Sequence, residues 1–235
     1  MAETRTRRPE RREEPLSRER IVEAAIALLD ETGEGGLTFR ALARRLATGP
    51  GAIYWHVTGK DELLAAATDA VVTDAMVDAE ATAATPGSSP VEAVRALAVG
   101  VFDAIDVHPW IGTQLARAPA QSPLLRVFEH LGRQVQALGV PHAAQFTAAS
   151  ALLNYILGVG GQNAANARHH RPGDTRTEFL GTVSDSWANL DPEEYAFTRG
   201  VAEQLRDHDD REEFLAGIDL IVAGIIGTYG ITARP

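Results

Sequence analysis

Apolar residues recur along this chain at helical spacing almost from end to end. Ile21, Ala24, Ala25, Leu28 and Leu29 follow the i, i+3, i+4, i+7, i+8 rule, with Ser17 placed to N-cap the helix and Leu16 placed to staple onto Ile21. Gly33, Gly35 and Gly36 end it. Thr38 then caps a short second helix whose apolar face is Phe39, Leu42, Ala43 and Leu46, leaving Arg40, Arg44 and Arg45 on the other side. After Ala47-Thr48-Gly49, Pro50 stands where a first helical turn tolerates it and opens a third short helix, Gly51 to His56, with Ile53 and Val57 facing inward. Thr58-x-x-Asp61 has capping-box spacing, and Leu63, Leu64, Ala67 and Val71 carry a fourth helix towards residue 80.

The breaker cluster Ala-Thr-Ala-Ala-Thr-Pro-Gly-Ser-Ser-Pro at 81–90 marks the expected domain boundary. Beyond it the pattern predicts helices at about 91–107, 109–118, 123–138, 141–166, 176–188, 192–206 and 211–229. No alternating strand pattern competes, so the expected fold is all-α. It divides into an Arg/Glu-rich tail (1–15), a three-helix domain (16–60), a connecting helix (61–80) and a larger helical domain (91–235). The polar run Arg168-His169-His170-Arg171-Pro172-Gly173-Asp174 reads as a loop.

Composition changes this picture little, and mainly by exclusion. With 45% hydrophobic and 23% charged residues among 235, the chain has the make-up of an ordinary globular protein. Cysteine is absent, which removes disulfide scaffolds, thiolate zinc sites and cysteine nucleophiles. The apolar runs fall short of the roughly 18 residues a membrane-spanning helix needs. Residues 1–15 lack the apolar core of a secretory signal, so a cytoplasmic protein is expected.

Charge is more informative, because it is unevenly divided. Residues 1–60 hold 11 of the 22 lysines and arginines and 9 of the 32 carboxylates. The rest of the chain holds the other 11 lysines and arginines against 23 carboxylates, a net charge of −12. Between Gly35 and Lys60 there is no carboxylate, while Arg40, Arg44, Arg45, His56 and Lys60 all fall there. Fields are local on the scale of a Debye length, about 8–10 Å, so a basic module on an acidic body can still bind phosphate. Two short helices joined by a tight turn, the second offering aromatic and polar groups beside this basic surface, describe a helix-turn-helix that enters a DNA major groove. Arg40 can reach a guanine edge or a phosphate. Tyr54, His56 and Lys60 offer donors to backbone oxygens.

Residues 38–64, TFRALARRLATGPGAIYWHVTGKDELL, resemble the Tet repressor (TetR) family of transcriptional regulators, and the Tyr54-Trp55-His56-Val57 run followed by Lys60-Asp61-Glu62-Leu63-Leu64 is similar to its tetracycline-repressor branch. Weaker similarity continues in His108-Pro109-Trp110, in 151–155 and in 214–222. The resemblance implies base-facing positions at Arg40, Pro50, Gly51, Ala52 and Tyr54, and backbone-facing ones at Thr38, Trp55, His56 and Lys60. It also implies a homodimer, a palindromic double-stranded DNA operator, and a small-molecule effector in the C-terminal domain that releases the repressor by displacing the fourth helix. Pro50-Gly51-Ala52 depart from the family pattern in lacking side-chain donors, which puts more of the readout on Arg40.

Sparse polar and aromatic points among apolar helices, Trp110, Gln134, Asn154, Gln162 and Asn163, are the expected effector-pocket residues. The terminal helix is apolar almost all round, so one side is expected to meet a second subunit, through Leu215, Ile218, Val222, Gly224 and Ile225. Gly158-x-Gly160 lacks a third glycine and a βαβ context, so it reads as close helix packing. Neither a metal nor a cofactor is expected: no HExxH occurs, and the adjacent His169 and His170 do not share a helix face. The alternative to a regulator is a helical-bundle enzyme or carrier with the N-terminal module as scaffold. It would need a nucleophile–base pair or paired carboxylates, and none stands at a recognisable spacing.

Overall fold

The computed structural model describes residues 15–117, 122–167 and 176–231. Its helices are α1 (Arg18–Gly36), α2 (Phe39–Arg45), α3 (Pro50–Tyr54), α4 (Lys60–Ala75), α5 (Val77–Ala84), α6 (Pro90–Val107), α7 (Trp110–Arg117), α8 (Ser122–Ala137), α9 (His142–Ala167), α10 (Arg176–Ala188), α11 (Ala196–Val201) and α12 (Asp210–Thr228), with a 3₁₀ turn at Ala202–Leu205. No strand occurs among the described residues, and no helix there is long and apolar enough to cross a membrane. The chain forms two compact units, the first ending at Leu63 and the second beginning at Leu64.

In the first unit Ser17 caps α1, its hydroxyl accepting from Arg20 N at 3.3 Å. α1 buries Ile21, Ala25 and Leu29, and Leu37, Leu42, Ile53 and Val57 complete the core. Phe39 and Leu46, expected on the inner face of α2, are only half-buried. Gly33 has φ +66°, a left-handed conformation that favours glycine, and it kinks α1 before the chain turns into α2.

In the second unit α6 lies at the centre, packed against α5, α7, α8, α9 and α12. Its Val94, Leu97, Val101 and Ile105 are essentially inaccessible. Three rings bind α6, α9 and α12: Phe214 stacks on Phe102 at 4.6 Å and on Tyr155 at 5.6 Å. The Tyr155 hydroxyl donates to the Phe214 carbonyl at 3.2 Å. Ion pairs Arg95–Asp219 and Arg211–Asp103, the latter at 3.1 Å, join α6 to α12 at the surface. Gly160 lets α9 approach α6, since a Cβ there would meet Ile105 Cδ1 at 2.7 Å.

Three expectations are corrected. The fourth helix stops at Ala75 instead of running to residue 80, and α5 follows after a bend at Met76. The end of α4 lies against α6 so closely that a Cβ at Gly100 would stand 2.1 Å from the Ala75 carbonyl oxygen. The second unit begins at Leu64 and not beyond the breaker cluster, because α5 reaches Ala84 and packs along α6. Ser89 and Pro90 in that cluster are a helix start: the Ser89 hydroxyl accepts from Glu92 N at 3.2 Å and Ser89 N donates to Glu92 Oε2 at 2.8 Å. Cap residues and linker residues are the same types, so composition alone does not separate them. The helix expected at 192–206 begins only at Ala196, because Asp191 Oδ1 accepts from Glu193 N and Glu194 N at 2.9 and 3.0 Å and locks a turn.

Gly217 is the notch that admits Tyr155, for a Cβ there would lie 1.8 Å from the tyrosine hydroxyl and 2.3 Å from Cζ. The ring is stacked and cannot swing aside freely. Gly217→Ala is expected to destabilise the protein by about 1–3 kcal/mol of overpacking, partly offset by the roughly 1 kcal/mol helix preference of alanine. Urea unfolding with an unchanged or raised midpoint would show that the ring relaxes instead.

Candidate nucleic-acid interface

The α2–turn–α3 segment is built from local rules. Thr38 Oγ1 accepts from Ala41 N at 3.1 Å and starts α2. Thr48 N donates to Ala43 O at 2.9 Å across the turn, where Ala47 adopts φ +51°. Gly49 precedes Pro50 in the first turn of α3. This places Thr38, Arg40, Pro50, Gly51, Tyr54 and Trp55 in solvent, with Ala52 and His56 half-buried.

The side chains of Arg40 and Arg44 are exposed and make no hydrogen bond or ion pair among the described residues, so their guanidinium donors are uncommitted. Arg45 differs, both Glu31 oxygens accepting from its Nη1 at 2.8 Å. Lys60 also differs from the expected simple phosphate donor. Its ammonium is half-buried and donates to the Glu34 carbonyl at 2.6 Å, tying the end of α1 to the start of α4, and two N–H groups remain for a second partner. Trp55 is 90% exposed and Tyr54 55%. Phe39 and Tyr54 stack face to face, centroids 4.4 Å apart and planes 2° from parallel. Periodicity assigned Phe39 to the core. The signal that pairs it with Tyr54 is only that each aromatic stands at an end of adjoining short helices.

The cap of α4 is shifted by one residue from its expected form. Glu62, not Asp61, closes on Thr58, accepting from Thr58 N and from Thr58 Oγ1 at 2.7 Å each, and Arg18 donates to it at 3.1 Å. These hydrogen bonds favour the charged carboxylate, with the Thr58 N–H first, and hold its pKa down at about 2.

In the second unit, the residues expected to line an effector pocket differ in exposure. Trp110 is buried and Gln134 and Asn163 are half-buried, but Asn154 and Gln162 are exposed. The inner face of α9 is taken by Ala148, Leu152, Ile156 and Ala164, so Asn154 and Gln162 fall on an outward stripe with Thr147, Ala151, Gly158 and Ala165. The expected dimer residues divide in the same way. Ile218, Val222 and Ile225 are buried within the subunit, Leu215 is half-buried, and Gly224 is exposed. The outward side of α12 carries Ala216, Leu220, Ala223, Gly224 and Gly227, and α12 packs on α9. No cluster of three or more His, Asp or Glu that could hold a metal occurs among the described residues. The arginines of the 1–14 stretch and the His169–His170 pair lie outside them.

A family model for bacterial regulatory proteins, tetR family, matches residues 21–67. An HTH-type transcriptional regulator of Saccharopolyspora erythraea is 29% identical over 229 residues, covering 95% of this chain and 92% of that protein. The solved structure of the transcriptional regulator SCO7222, a TetR from Streptomyces coelicolor, shares 60% identity at a TM-score of 0.81, covering 92% of this chain and 100% of that one. The Streptomyces coelicolor TetR family protein ActR, in complex with actinorhodin, shares the fold at a TM-score of 0.73 and 23% identity, covering 93% and 99%.

The Glu62 cap carries a pH signature. Because its folded pKa is about 2 against 4.5 without its partners, its contribution is complete above pH 4.5 and is lost as pH falls from 4.5 towards 2. Glu62→Gln is expected to flatten this acid dependence of the thermal midpoint, followed by circular dichroism. An equal acid slope in both proteins would place the charged cap elsewhere.

Proposed function

Because the chain belongs to the tetR family of transcriptional regulators, we propose that it is a homodimeric repressor that holds a palindromic DNA operator and releases it when a small molecule binds in the second unit. The observation that carries the DNA reading is that α2 and α3 contain no carboxylate of their own, that the Arg40 and Arg44 side chains have no intramolecular partner, and that Tyr54 and Trp55 stand in solvent. The direction of control follows the resemblance to the tetracycline-repressor branch. The protein works as a regulator and not as an enzyme, in the cytoplasm with its DNA.

A small-molecule effector is supported by the complex of ActR with actinorhodin. Its route to the DNA is α4, which starts in the first unit and ends in the second. Within the second unit, Arg126 of α8 donates to Thr73 Oγ1 at 2.6 Å and to Asp69 Oδ2 at 3.1 Å, both on α4. The end of α4 presses on α6 at Gly100. A ligand that shifts α6 or α8 therefore moves α4 as well, and it need only favour the non-binding conformation by about 1–3 kcal/mol per site.

Dimerisation uses the outward stripes of α9 and α12, which pair as a four-helix interface. Small residues there allow close approach, and Leu220, 75% exposed in the subunit, supplies apolar contact. Two-fold symmetry then sets the recognition helices about 34–36 Å apart on the DNA, or further where half-sites are spread.

Binding of the purified protein to the DNA upstream of its own gene should fall steeply with salt. Absence of salt-dependent, sequence-specific binding would sink the proposal. Arg40→Ala is expected to relax discrimination at one base pair per half-site by about 1–3 kcal/mol, while a uniform loss over all sequences would assign it to phosphate. Gly224→Glu is the test of the dimer face. Apart from the neighbouring backbone of its own helix, nothing lies within 4 Å of a Cβ built at Gly224, so the subunit has room for a side chain there, and sedimentation should report monomer with operator binding lost. A dimer still bound to operator would move the interface off α12.

A further inference from the structure

We propose that Phe39 is a positioning residue for sequence readout, holding Tyr54 so that the tyrosine ring meets the C5 methyl group of a thymine in each operator half-site. The inference rests on the DNA-binding reading above and adds what the protein reads there.

Recognition of bases requires either donors and acceptors or apolar contact with the thymine methyl, the one apolar group on the major-groove edge of the bases. α3 is poor in the first kind. Its exposed or half-exposed positions are Pro50, Gly51, Ala52 and Tyr54, and of these only Tyr54 has a side-chain polar atom. The surface of this helix that is free to meet a base is therefore mainly carbon.

Tyr54 would be a weak reader if its ring were free to rotate. It closes α3, and more than half of it is in solvent. Phe39 removes that freedom: parallel planes at 4.4 Å cover one face of the ring and leave the opposite face open. Phe39 belongs to α2 and immediately precedes Arg40. The stack thus ties the tyrosine of one short helix to the residue beside the guanidinium of the other, so a guanine contact from Arg40 and a methyl contact from Tyr54 fall in a set register. A side chain that served packing alone would be driven inward, as Leu42 and Ile53 are, both at 0% exposure, whereas Phe39 stays half-exposed beside its partner.

The test uses the full-length protein and a synthetic duplex carrying the operator mapped in its upstream DNA, with each thymine replaced in turn by deoxyuridine at constant salt. Deoxyuridine removes only the methyl group. Wild type is expected to lose about fourfold in affinity at one thymine in each half-site, the size of one buried methyl group. Phe39→Leu should bind the thymine operator as weakly as wild type binds the uracil one, and should no longer distinguish the two. Phe39→Tyr, which can restack, should restore the discrimination. A purely structural role for Phe39 would instead lower affinity for both duplexes equally. Tyr54→Ala provides a second route to the same loss if Phe39→Leu does not fold. A wild-type scan that is flat on an operator it binds tightly overturns the inference and leaves the DNA-binding reading standing. So does thymine discrimination that survives in Phe39→Leu or in Tyr54→Ala. Failure of wild type to bind any upstream DNA specifically overturns both.

Discussion

Phe214 is the contact on which the second unit depends. Its ring is essentially inaccessible, sandwiched between Phe102 of α6 and Tyr155 of α9. The tyrosine in turn reaches the Phe214 backbone through its hydroxyl and occupies the space left open at Gly217. One side of α12 is thereby committed inward with Phe214, Ile218, Val222 and Ile225, and the opposite side, small and apolar, is left outward. The same stack orients α9, whose outward stripe is also made of small and polar residues. An inside and an outside for two helices follow from three rings and one missing side chain.

The first unit follows a different economy. Its core is small and aliphatic, and its short helices are held by caps: Ser17 on α1, Thr38 on α2, and the Thr58–Glu62 closure before α4. Charged groups there fall into two sets. Arg18, Arg45 and Lys60 are bonded to groups of their own unit, while Arg40 and Arg44 are not. A basic surface on an acidic protein gains its selectivity this way, since a guanidinium already paired to a carboxylate has little to offer a phosphate.

The two units share α4, and α4 is not a free rod. Arg126 holds its side at Asp69 and Thr73, and α6 meets its end at Gly100. A helix so restrained is fixed to α8 and α6 within the second unit. The helix breaks at Met76, and α5 beyond it packs against α6.

Helix periods, the caps at Ser17 and Thr38, the carboxylate-free stretch from Gly35 to Lys60 and the family resemblance of residues 38–64 were all legible in the chain, because each depends on residues within a few positions of one another. The sequence by itself therefore determined an all-α protein and the place of its reading head. What only the tertiary structure decided is which neighbour covers each helix face. It turned Ile218, Val222 and Ile225 inward and Asn154 and Gln162 outward. It spent one hydrogen of Lys60 on Glu34 and set Phe39 against Tyr54. Periodicity states which residues share a face, but an apolar face that runs round a helix has no inside until another helix packs against it, and that packing is made by residues distant in the chain.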